Sequence, residues 1–465
     1  MKKYLQLVKN VGLFVISSIA TKLISFFLLP IYTKYLTTTE YATIDMAIVV
    51  QSLLWPIFSL ALTDGLLRFA LDKDYDKKKV FSICNLLIVP GFIGAWVIIE
   101  FIKYDEILFQ YRNYFFVYYF VVSLNSYYAT FARTIGKIKL IVLNSVLSSL
   151  LIAGLNIVLL VKFGTGIDGF FCSLILGNAI SAFLYFVFGN YINYLGFSKI
   201  DKKIAKEILI YSIPMIPNTI FWWINSSLDK FCLTMLIDLS AVGLYSVAGK
   251  ISSALNLVIS VFSQAWSISV FSEYKNNDAE GFFLNVYNFY NFIVLSMAFI
   301  LILFVKPIAS IFFSNDFYVA WKYVPTLVIA FYYSALNTYW GSMFTANKKT
   351  NIIFYTTGAG AIVNLILNIC LIKNFGVIGA ALATAVSNFI VYIIRNQVIR
   401  KIVELKTNKL LNISLQIVLV LLGIFTTREY GNVILGMTFV IAIILLLVFF
   451  NKNILSTLKK VGVFR

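Results

Sequence analysis

Two lysines sit where lysine is costly. Lys22 lies near the middle of the apolar run 11–36, VGLFVISSIATKLISFFLLPIYTKYL, and Lys250 lies within the run VGLYSVAGKISSALNLVISVFSQAW. A cation at the centre of a bilayer costs about 2.5–3.5 kcal/mol on insertion scales, so both are expected to face protein or water rather than lipid. Two ammonium groups converging on a hydrated cavity make an anion site. The small-residue patch Ser246–Ser253 lets a ligand come close to Lys250. Asp45, near the outer end of the second run, is a cavity charge, a partner for Lys22 or a solvated helix end. Asp229 and Lys230 close the stretch WWINSSLDK. They lie inside the cavity if the helix bends at Pro214 and Pro217 and runs on to Leu236, and are outer-loop charges otherwise. Asp64 and Arg68 are spaced to form a gate pair or a boundary salt bridge. Arg133 is a further gate candidate or a basic loop residue.

Other chemistry is excluded by composition. The chain has no histidine, which removes Ser-His-Asp and Cys-His nucleophile systems, histidine metal sites and histidine proton relays. Its four cysteines, Cys84, Cys172, Cys232 and Cys370, are scattered singly through apolar segments and read as small buried hydrophobes. No metal site and no cofactor is expected, though coupling to a proton or sodium gradient or to the membrane potential stays open. The net charge of +18 lies in short loops, where membrane topology accounts for it without nucleic acid. Phe221-Trp222-Trp223 and Tyr339-Trp340 are aromatic clusters suited to sugar rings, an isoprenoid tail or an interface belt.

The elements that must position these residues are membrane spans. Hydrophobic residues make up 60% of 465, charged residues 12%, and mean hydropathy is +0.89. Such a chain is an all-α, polytopic integral membrane protein. Fourteen spans are predicted, over 11–36, 43–64, 80–102, 114–132, 140–161, 167–190, 208–228, 242–268, 286–305, 323–345, 351–372, 377–398, 411–427 and 432–450. The first is too long and too interrupted by Lys22 for a cleaved signal peptide. Placing both termini in the cytoplasm puts 27 of the 38 Lys and Arg on that side and 9 on the other. Residues 155–169, LNIVLLVKFGTGIDG, echo 367–379, LNICLIKNFGVIG, and Gly169 and Asn178 correspond to Gly379 and Asn388 at a common offset of 210. The matched spans are six crossings apart, so the duplication is parallel. The expected domains are a six-helix lobe over 1–206, a second over 207–409, and two extra helices with a tail over 410–465. Two such lobes enclose a central cleft whose access alternates by rocking.

The chain resembles the Wzx-type oligosaccharide repeat-unit flippases, within the superfamily that also holds multidrug and toxin extruders and the lipid II flippase. The likeness rests on NVGLFVISSIATKLISFFLLPIYTKYLTTTEYATID (10–45), YSIPMIPNTIFWWINSSLDKF (211–231), GLYSVAGKIS (243–252), GSMFTANKKTNIIF (341–354) and FGVIGAALATAVSN (375–388). It departs from the family's usual glycine after the first span, having Ala42 in TEYAT. The resemblance implies a MATE-like fold of the bacterial cytoplasmic membrane. It implies movement of an undecaprenyl-diphosphate-linked oligosaccharide from the inner to the outer leaflet, for O-antigen, capsule or teichoic acid synthesis. It also implies a cation-lined cavity, and Lys22 and Lys250 match the placement of basic residues in the first and eighth helices of the lipid II flippase branch. The expected partners are this lipid-linked sugar, membrane lipids, and a polymerase and glycosyltransferases of the same pathway, with the protein itself a monomer and no enzyme. The alternatives are a cation-coupled multidrug exporter of the same fold, which calls for an acidic site, and a polysaccharide polymerase or glycosyltransferase. The latter needs a sizeable outer loop, and the longest here, 104–113, is short.

Overall fold

The computed structural model describes residues 2–101, 109–196, 201–273, 279–347, 349–401, 408–429 and 432–451. Half of the expected outer segment 104–113, part of the basic stretches 198–207 and 395–409, and the tail after 451 lie outside the described residues. Among the described residues 91% are helical and none is in a strand. In order, the helices are α1 (Lys2–Phe27), α2 (Leu29–Tyr35), α3 (Thr38–Phe58), α4 (Leu62–Leu71), α5 (Lys77–Phe101), α6 (Arg112–Thr134), α7 (Ile138–Asn156) and α8 (Gly166–Gly189). They continue as α9 (Lys202–Ser212), α10 (Ile216–Leu236), α11 (Leu239–Ser252), α12 (Leu255–Glu273), α13 (Ala279–Leu303) and α14 (Val305–Phe312). The last are α15 (Val324–Ala346), α16 (Thr350–Phe375), α17 (Val377–Arg400), α18 (Lys409–Thr427) and α19 (Asn432–Phe449).

Every expected span falls on a helix or on a broken pair of helices. Among the described residues nine helices are long and apolar enough to cross a bilayer by length and composition, and up to ten if the bent pair α11–α12 counts as one span. Others, such as α6, α10 and α15, have spanning length but carry many Tyr, Asn and Ser residues. The chain divides into two compact units, Met1–Ser227 and Leu228–Arg465.

Local sequence explains where the spans start and break. The turn TTTE opens α3 with a capping box: Thr37 Oγ1 accepts from the Glu40 amide at 3.2 Å, and the Thr37 amide donates to Glu40 Oε2 at 2.8 Å. At its other end α3 stops after Pro56, and Leu60 and Ala61 both take a left-handed conformation (φ 50°) before α4. This break leaves carbonyls at the end of α3 that α5 approaches at backbone distance. A Cβ on Gly91 would stand 1.9 Å from the Phe58 carbonyl oxygen, so only glycine fits.

In the first unit the packing centres on aromatic rings. Phe81 stacks on Phe131 at 3.9 Å, and Tyr191 meets both edge-on. Lys77 and Lys137 donate from Nζ to carbonyls at the ends of α6 and α8, Thr134 and Phe188, each at 2.7 Å. These basic residues cap helix C-termini as well as following the charge rule for short loops. The second unit centres on Trp266, which stacks on Tyr339 at 4.6 Å and donates to its carbonyl at 3.3 Å. Tyr339 and Trp340 are wholly buried there, so the expectation that they stack on a sugar is replaced by a core role. Asn412 of α18 is fixed to the same core: Asn291 donates to it at 2.9 Å and accepts from Tyr332 at 2.9 Å. Beyond the spans, Lys306 Nζ lies 2.8 Å from Glu429 Oε1, and this hydrogen bond holds the Glu429 carboxyl below the usual carboxylate range.

Candidate functional site

On α1, Lys22 is exposed, and Ser18, Thr21 and Ser25 share its face at helical spacing. The hydroxyls of Thr21 and Ser25 are spent on their own helix, donating to the carbonyls of Ser18 and Thr21 at 3.1 and 3.0 Å. A neighbouring edge of α1 is anchored to α7 through Ser17 and Ser145, whose hydroxyls lie 2.6 Å apart. Lys22 is thus presented by a helix that is fixed from another side.

Lys250 is placed by a different device. It sits in the last turn of α11, just before a 53° bend into α12. Gly243, Ser246 and Ser253 lie on its face, and open space surrounds the Cα of Gly249. The end of a half-helix favours a cation at that position. Both lysines are exposed on their own units, whereas the deepest charges of the protein are others.

The best-ordered polar constellation surrounds Asp229. The helix after Pro214 and Pro217 does run on to Leu236, and it places Asp229 in the interior of the second unit at 4% exposure. Oδ1 accepts from Asn364 at 3.1 Å and from Asn368, both on α16. Oδ2 accepts from the Tyr245 hydroxyl of α11 at 2.7 Å and from Thr384 of α17. Burying a carboxyl group is costly unless its oxygens are hydrogen-bonded, and here neutral donors from α11, α16 and α17 meet them. Among the described residues Asn368 Oδ1, also buried, meets no hydrogen-bond partner. The next residue, Lys230, is half-buried, and its carbonyl accepts from Thr234 at 2.9 Å.

The remaining sequence-predicted residues are dispersed. Asp45 is buried on α3, at 7% exposure. Asp64 and Arg68 are exposed and do not pair with each other; Arg68 Nη1 lies 3.6 Å from Asp72 Oδ2, one turn further along. Arg133 is exposed and lies over the Phe14 ring at 5.9 Å.

Sequence reasoning missed Asn364, Asn368, Tyr245 and Thr384 as partners of Asp229. A signal was present in NLILN (364–368), which sets two amides on one face of an apolar helix. Arg395 was also missed, being taken as the start of a hydrophilic stretch. It lies at 6% exposure, with Nε on Thr356 at 3.0 Å, Nη1 on the Asn337 carbonyl at 2.9 Å and Nη2 on Thr357 at 3.0 Å. Its planar fork ties α15 and α16 to α17. Among the described residues there is no group of three or more His, Cys, Asp or Glu able to hold a metal.

The comparisons with known proteins agree with this architecture. A family model described as "Polysaccharide biosynthesis protein" matches residues 7–275. An uncharacterized membrane protein of Methanocaldococcus jannaschii is 28% identical over 253 residues, covering 50% of this chain and 48% of its own length. The probable low-salt glycan biosynthesis flippase Agl15 of Haloferax volcanii is 25% identical over 206 residues, 41% of this chain and 43% of its own. These matches thus span less than half the length of either relative. Among solved structures, the lipid II flippase MurJ in an inward closed conformation aligns with a TM-score of 0.71 at 16% identity, covering 94% of this chain and 97% of its own. An inward-facing multidrug resistance MATE family transporter of the MOP superfamily aligns with a TM-score of 0.63 at 13% identity, covering 82% and 95%. At these identities the structural likeness establishes the fold.

Proposed function

Because the chain belongs to the polysaccharide biosynthesis protein family and shares its fold with MurJ and MATE transporters, we propose that it is a flippase and not an enzyme. In this reading it carries an undecaprenyl-diphosphate-linked oligosaccharide from the cytoplasmic to the outer leaflet by alternating access, for a surface polysaccharide. Both termini lie in the cytoplasm of a bacterial cell. The observation that carries the reading is the pair Lys22 and Lys250, each exposed from an apolar span beside small or hydroxyl side chains. A diphosphate leaving water needs cationic donors, and charge-assisted hydrogen bonds supply them. Replacing Lys22 and Lys250 by Ala, singly and together, tests it. Each single change is expected to slow arrival of the lipid-linked sugar in the outer leaflet about tenfold or more, from the worth of one hydrogen bond to a charged group. Full transport in the double variant would falsify the assignment.

Asp229 favours a second element of the same reading, coupling to a monovalent cation. The fit rests on the unpartnered Asn368 Oδ1 beside a buried carboxylate. An amide's oxygen and nitrogen exchange places by a half-turn, so Asn364 and Asn368 are able to offer oxygens alongside Asp229, Thr384 and Tyr245. An oxygen set with one negative charge suits sodium or a proton. When bound, the cation neutralises the buried carboxylate, and Asn364 and Asn368 turn from donors into ligands.

A further inference from the structure

A groove of about 670 Å³ runs along the second unit between α17 and α18. Its floor is aromatic, the Tyr333 ring lying 4.9 Å from Phe389 and 5.7 Å from Tyr392. Its α18 wall is aliphatic, with Ile413, Ile417 and Leu421 exposed at one-turn spacing. The polar groups beneath are satisfied internally: Gln416 Nε2 donates to the Tyr392 hydroxyl at 3.4 Å, and Asn412 accepts from Asn291. Where α17 ends and α18 begins, Arg400 and Lys409 line the groove, with Asn396 and Gln397 next to them. The gradient is therefore cationic at one end and apolar along the rest.

We propose that this groove holds one anionic phospholipid, its phosphate at Arg400 and Lys409 and an acyl chain lying along α18. Charge complementarity selects a phosphate headgroup, since basic pockets between membrane helices hold anionic lipids. Length selects an ordinary bilayer lipid. Lys409 to Leu421 spans about 18 Å of helix at 1.5 Å per residue, little more than one leaflet of a hydrocarbon core about 30 Å thick. The site is separate from the transported cargo and does not depend on the function proposed above.

Native mass spectrometry of the full chain, titrated with phosphatidylglycerol and with phosphatidylcholine, tests this. One phosphatidylglycerol should be retained in preference to phosphatidylcholine. The double variant Arg400→Gln, Lys409→Gln should weaken that binding about tenfold or more, each basic residue contributing to attraction of an anionic lipid. Lys409→Glu, at an exposed position, should do so by itself, and Ile417→Trp should reduce retention by filling the tail wall with both cations intact. Equal binding of the two lipids, or affinity unmoved by Lys409→Glu, overturns the proposal. Displacement of phosphatidylglycerol by an equimolar polyprenyl phosphate also overturns it, naming the carrier lipid as the occupant.

Discussion

At Asp229 the protein buries a carboxyl group among neutral hydrogen-bond donors, and that arrangement makes the residue testable. Its oxygens accept from Asn364, Asn368, Tyr245 and Thr384. Asp229→Asn keeps the shape but turns one acceptor into a donor facing groups that also donate. The expected cost is about 1–3 kcal/mol, the penalty for buried polar groups left unmatched. Transport measured against an imposed sodium or proton gradient should lose its dependence on that gradient, while thermal unfolding still reports a folded protein. A variant that keeps its gradient response removes Asp229 from coupling. Arg395 is the basic counterpart, held by three neutral acceptors, Thr356, Thr357 and the Asn337 carbonyl. Lys22 and Lys250, by contrast, are exposed.

At the scale of elements, the internal repeat marks the contacts that cannot change. Gly379 opens α17, and a Cβ there would stand 2.2 Å from the Leu371 carbonyl oxygen of α16. Backbone cannot yield as a flexible side chain does. Gly379→Ala should therefore spread the α16–α17 hairpin and lower stability by about 1–3 kcal/mol, read as a lower unfolding temperature. Gly169→Ala at the repeat-related position should cost less, because its nearest obstacle is the Thr165 side chain at 1.9 Å. Equal losses would show that the close approach at Gly379 does not set the packing. The repeat that exposed these glycines was legible in the sequence, as were the spans, because apolar length is a local property. The functional partners were not, because they depend on where distant helices meet. Asn156, the repeat's match to Asn368, donates to the Tyr32 hydroxyl at 3.3 Å, whereas Asn368 meets a carboxylate. The same motif thus supports different chemistry in each unit, and the difference lies on another helix. Likewise Arg395 reads as the edge of a hydrophilic stretch at the end of the expected span 377–398, until α17 is seen to continue to Arg400.

For the molecule as a whole, the proposed function raises the question of what drives net movement of a phosphorylated lipid. With both termini in the cytoplasm, as proposed from the lysine and arginine bias, the cell potential is negative on their side. An anion crossing outward gains about 2.3 kcal/mol per charge per 100 mV, close to a fiftyfold shift in its distribution. If Lys22 and Lys250 carry the diphosphate without net charge of their own being moved, that potential alone should bias the two leaflets. Proteoliposomes loaded with a polyprenyl-diphosphate sugar separate this from coupling at Asp229. An inside-negative diffusion potential, with no sodium or pH gradient, should enrich the headgroup in the outer leaflet. The final ratio is independent of how the protein was inserted, because a carrier changes the rate and not the balance. If the ratio ignores the potential and instead follows a sodium or proton gradient, the drive passes through the Asp229 cluster. Asp229→Asn should then abolish the enrichment while leaving slow equilibration of the two leaflets.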